Sequence, residues 1–69
     1  MNKVEFIIHR ISADMCRITA NSILEKYKRI SDGGCITDIE TLLAEMQEIT
    51  RKTREHGGEA IFTIQEANV

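Results

Sequence analysis

The sequence predicts a mainly α protein with a minor β part: an antiparallel helical hairpin with short N- and C-terminal strands, β-α-α-β, working as a dimer. Three observations predict it. A capping box opens an apolar stripe after residue 37, a second stripe precedes the first glycine reversal, and β-branched runs lie near both ends. Sixty-nine residues make a single interaction domain, 1–69.

At the N-terminus, Val4, Phe6, Ile7, Ile8 and Ile11 are β-branched or aromatic, which favours a strand over 3–10. The competing reading starts one long helix at residue 3, because Asn2-Lys3-Val4-Glu5 also has capping-box form. Next, Cys16, Ala20, Ile23, Tyr27 and Ile30 recur at 4-3-4-3 spacing, and Leu24 widens the stripe. With Ser12 as N-cap and Asp14 in the first turn, this predicts a helix over 13–31. Ser31-Asp32-Gly33-Gly34 and Gly57-Gly58 read as reversals, since adjacent glycines take positive φ at no steric cost.

Thr37-Asp38-Ile39-Glu40 forms the clearer capping box. Ile39, Leu42, Leu43, Met46 and Ile49 then fall on one face, acids come early and bases late, and Gly57 suits the C′ position. Together these predict a helix over 37–56. The two helices are nearly equal in length, so a hairpin of them ends flush. That leaves 3–10 and 59–66, the latter carrying Ala60-Ile61-Phe62-Thr63-Ile64, at the same end to pair antiparallel.

A two-stranded ribbon is marginal in water, and so is the core of so short a chain. Two cysteines are too few for a disulfide scaffold, which makes a second subunit the expected extra core. Phe6, Ile8, Ile30, Met46, Phe62 and Ile64 are the expected core or dimer residues.

Nine basic residues against eleven acidic ones argue against nucleic acid as the main ligand. No apolar run approaches the ~20 residues that span a bilayer, and no small-residue cleavage site follows the N-terminus. A cytoplasmic location is expected. Lys26, Lys28 and Arg29 end the first helix, and Arg51, Lys52 and Arg54 the second; a hairpin would hold these clusters at opposite ends.

His9, His56, Cys16 and Cys35 lack the close pairing of a zinc site. In the hairpin the cysteines lie at opposite ends, while the two histidines could meet at the strand end. Asp32-Gly33-Gly34 lacks the lysine and preceding strand of a phosphate loop. With no nucleophile–base signature, no enzyme, metal or cofactor is expected.

Surface recognition remains. Tyr27, Ile30, Met46 and Phe62 are the expected anchors, because aromatic and Met side chains concentrate at interface centres. Asp38, Glu40, Glu45 and Glu48, with Tyr27, are the residues expected to bind the partner. A short acidic chain of two amphipathic helices with no catalytic motif is similar to phage-encoded host-takeover proteins. In length and helix-hairpin layout it resembles the phage anti-activators of quorum sensing, and anti-CRISPR proteins share the profile. The resemblance implies an inhibitor of a host protein, such as the DNA-binding domain of a LuxR-type regulator, acting in the host cytoplasm. There the acidic surface would compete for a basic DNA-binding face. The alternative is a small dimeric DNA-binding transcription regulator.

Overall fold

Alternation, rather than helical periodicity, governs the first third of the chain. The computed structural model describes residues 2–31 and 34–66, so the Asp32-Gly33 part of the first reversal lies outside the described residues. The element order is β1 (Asn2–Ser12), β2 (Met15–Asn21), α1 (Glu25–Ile30), α2 (Ile39–Glu55) and β3 (Gly58–Gln65). The molecule is therefore an α+β domain built on a three-stranded sheet, and the expected mainly α helical hairpin is wrong.

In β1, Val4, Phe6 and Ile8 are buried at every second position, the period of a half-covered strand. β2 returns antiparallel, with Phe6 beside Ala20 and Ile8 beside Ile18. Ser12, expected to cap a helix, instead donates its hydroxyl to Asp14 Oδ1 at 3.1 Å in the connecting turn. The expected helix over 13–31 shrinks to α1. Cys16 and Ala20 are four residues apart, a spacing that satisfies both the two-residue and the 3.6-residue period. Ile18, buried between them, decides for the strand. Ile23, the next member of the supposed stripe, is 95% exposed.

The helix expected over 37–56 is present as α2. Its N-cap is Asp38 rather than Thr37: the Asp38 carboxylate accepts from the Thr41 amide at 2.7 Å and from its hydroxyl at 2.8 Å. The helix ends at Glu55 with His56 as its C-cap, and Gly57 beyond it has a left-handed φ of 81°, as a C′ glycine requires.

The C-terminal strand also forms, but it pairs parallel to β1, with Val4 beside Ala60, Phe6 beside Phe62 and Ile8 beside Ile64. The path explains the direction. Ile36 bridges Cys16, so the segment after α1 regains the end of the sheet where β2 began. α2 then runs back down, and β3 must run up beside β1. The sheet order is β2-β1-β3.

The core lies between one face of this sheet and the helices. Val4, Phe6, Ile8 and Ile18 meet Tyr27, Ile36 and Ile49, with Ile30, Leu42, Met46 and Phe62 packed against them. Phe6 and Phe62 stack with ring centroids 5.7 Å apart. Phe6 and Ile8 are thus the core residues expected, and Ile30, Met46 and Phe62 are partly buried around them. Ile64 is not a core residue; it is 67% exposed. Tyr27, expected as a partner anchor, is 1% exposed, and its hydroxyl donates to the His56 carbonyl at 3.4 Å.

Candidate functional site

The start of α2 leaves two large apolar side chains in solvent: Ile39 is 72% exposed and Leu43 53%. Leu42, Met46 and Ile49 face the sheet, so Ile39 and Leu43 form a second stripe on the flank nearest β3. Ile64, at the far end of β3 and 67% exposed, shares a cleft with Ile39. Sequence reasoning placed Ile39 and Leu43 within a single stripe. The signal that could have separated them is its width, since adjacent Leu42 and Leu43 are more than one packing neighbour covers.

These side chains border two concavities. The first, about 440 Å³, lies at the end of the sheet between the β1–β2 turn and the first turn of α2. Ile8, Cys16, Ile36 and Leu42 supply apolar lining, while Ala13 and Ile39 contribute from the turn and from α2. Its charged groups are Arg10, Asp14, Asp38 and Glu66, of which Arg10 and Glu66 form an ion pair at 3.5 Å. Hydrogen bonds from the Thr41 amide, and then its hydroxyl, hold the Asp38 carboxyl below its ordinary range. The second is a shallow groove along the outer side of β3, where Phe62 meets Leu43, Met46, Gln47 and Thr50.

The acids expected to bind a partner do not form one patch. Asp38 is committed to capping, and Glu48 pairs with Arg51 and, at 3.9 Å, with Lys52. The bond from Arg51 lowers the Glu48 carboxyl. Glu40 and Glu45 are exposed and make no ion pair among the described residues, but at ~100° per residue they point roughly 140° apart.

The histidines do not meet. His9 bonds Thr19 at 2.7 Å and sits beside Gln65, whereas His56 bonds the Lys52 carbonyl at 2.8 Å and lies just before Gly57 at the opposite end of β3. The cysteines are not at opposite ends either, because the Cys16–Ile36 bridge brings Cys35 alongside β2. Alternation turns Cys35 to the Arg17 face, however, while Cys16 faces the core, and both thiols are free. No metal-binding cluster occurs among the described residues. The two basic clusters are also differently placed than a hairpin would have them. The Tyr27–His56 bond sets α1 against the C-terminal end of α2, so Lys26, Lys28 and Arg29 share an end of the molecule with Lys52 and Arg54.

Fold and surface together define a ββααβ domain with a mixed three-stranded sheet, a helix beside its edge strand and an apolar cleft at one end. No protein-family model, curated protein or solved structure matches the chain. The helix-hairpin layout behind the likeness to phage anti-activators is not this fold, so that likeness is now one of length. No helix among the described residues is long and apolar enough to cross a membrane.

Proposed function

We propose that this chain is a non-enzymatic, cytoplasmic protein-binding module that inhibits or modulates a partner protein by covering its working surface. The end cleft carries this reading. Its apolar lining and charged surround are the arrangement that takes up an apolar anchor side chain and fixes its orientation. Ala13→Trp, which fills the cleft from the turn, and Ile39→Asp, which charges it from α2, test the idea. Companions captured from the native cell by the wild-type chain should be lost with both variants and kept with Glu45→Lys. Identical companions with all four chains would sink it. In its narrower form the partner is the DNA-binding domain of a LuxR-type regulator. The chain should then release such a domain from operator DNA in a gel shift; an undisturbed protein–DNA band removes that form.

The gathering of two basic clusters at one end favours a second reading, a small DNA-binding regulator. Binding to duplex DNA would then weaken steeply with salt, and reversing Lys26, Lys28 and Arg29 would flatten that dependence. Absence of any shift at low salt eliminates it.

A further inference from the structure

We infer that the outer edge of β3 pairs antiparallel with β3 of a second copy of this chain, centred on Phe62, to give a six-stranded sheet with two α2 helices side by side. The pairing does not rest on what the end cleft binds, although Ile64 and Glu66 line that cleft and lie in the paired segment.

β3 is an open edge. The opposite edge, β2, is partly taken by the Ile36 bridge at Cys16, whereas β3 has a strand neighbour on one side only among the described residues. The devices that keep edges apart are missing from it. Over Gly58–Gln65 there is no proline, no lysine and no bulge, and its one charge, Glu59, lies near its start. The helix packed on β3 is α2, so a strand added at this edge also meets the helix.

A two-fold axis restricts the register. Antiparallel partners on the same face must have residue numbers whose sum is constant and even. Centring on Phe62 pairs the whole of 58–66 with no overhang. It sets Phe62 against its own copy, exposed Ile64 against the small Ala60, and Glu59 against neutral Gln65. The helix obeys the same axis. A Cβ on Gly58 would touch Thr53, and Ile64 shares a cleft with Leu42, so α2 runs opposite to β3. Phe62 therefore lies level with Met46 and Gln47, which line its groove. Glu40, Gln47 and Arg54 recur every seven residues and share one side of α2. An axis near Gln47 places Glu40 of each copy opposite Arg54 of the other, twice. Within the chain neither Glu40 nor Arg54 has an ion-pair partner among the described residues. This surface is complementary to itself, which selects a second copy as its occupant.

Charge exchange tests the geometry. Sedimentation of the full chain from one to several hundred micromolar should show a species of twice 7.9 kDa. Glu40→Arg alone and Arg54→Glu alone should each weaken the dimer about tenfold, through two lost pairs and the repulsion that replaces them. The double exchange E40R/R54E should restore it to within about threefold of wild type. Circular dichroism of each variant confirms that the fold is kept, and Leu43→Glu, exposed and outside the core, provides an independent disruption. Ala13→Trp should leave the dimer unchanged, which separates failure here from failure of the cleft reading. A wild-type chain that stays monomeric overturns the inference. So does a dimer indifferent to the single reversals, or one that the double exchange fails to rescue.

Discussion

Gly57 and Gly58 stand side by side and are required for different reasons. At Gly57 a Cβ would meet nothing within 4 Å, but φ is +81°. At Gly58 a Cβ would lie 3.1 Å from Thr53 Cγ2, from Tyr27 Oη and from Val4 Cγ2. Gly57→Ala should therefore cost about 1 kcal/mol of backbone strain. Gly58→Ala should cost about 1–3 kcal/mol by forcing three packed groups apart. Urea denaturation checks both values and their order. Tyr27 belongs to the same cluster. Tyr27→Phe, which gives up only the long bond to His56, should cost under about 1 kcal/mol, and Tyr27→Ala about 3–5 kcal/mol. Asp38 makes the helix start sensitive to acid. Its folded carboxyl is held below its ordinary value, so capping is fully present above the usual carboxylate range and is lost as pH falls through the depressed value. Asp38→Asn should keep the cap and abolish that acid-side change, as followed by helical ellipticity between neutral pH and pH 2.

Elements differ in how plainly the sequence declares them. α2 was legible because a cap, a stripe, a charge gradient and a terminal glycine agree over 17 residues. β3 was legible from a β-branched and aromatic run after that glycine, and β1 from its own. β2 was not. Cys16 and Ala20 fit both periods, so the helical signal of Tyr27, Ile30 and the basic residues of α1 was extended back over β2; only Ile18, flanked by Arg17 and Thr19, carried the alternation. The parallel pairing was equally hidden, because it depends on Ile36 returning to Cys16, a contact no local pattern announces. At the site, Ile39 and Leu43 were visible in the sequence but read as part of one stripe with Leu42, Met46 and Ile49, while Tyr27 was read as a partner anchor. Ile23→Ser distinguishes the two accounts of this region. In the observed fold the side chain is in solvent and the change should stay within about 0.5 kcal/mol; in a helix over 13–31 it would have stripped the stripe. A chain ending at Gly57 should lose cooperative unfolding, because β1 would lose its β3 partner and Phe6 its stacking neighbour Phe62.

For the molecule as a whole, the proposed association through β3 would add apolar burial to the small core of a 69-residue chain. Its melting temperature should then rise with protein concentration across the micromolar range, since dissociation accompanies unfolding. Two-fold pairing about Phe62 would also carry the two end clefts to opposite ends of the paired strands. A partner that fills them should bind with two copies per dimer, measurable as the mass of the complex by light scattering.

Parallel pairing of β1 with β3 joins Asn2 to Gly58 across nearly the whole chain. β1 therefore waits for a strand made well after it. Until then the β1–β2 ribbon has a free side, and Phe6 has no Phe62 to stack on. Completion of the sheet is therefore a non-local event, slower than the zippering of a local helical pair. In that interval the nascent ribbon is open to any passing extended segment, including one from a sister chain on the same message.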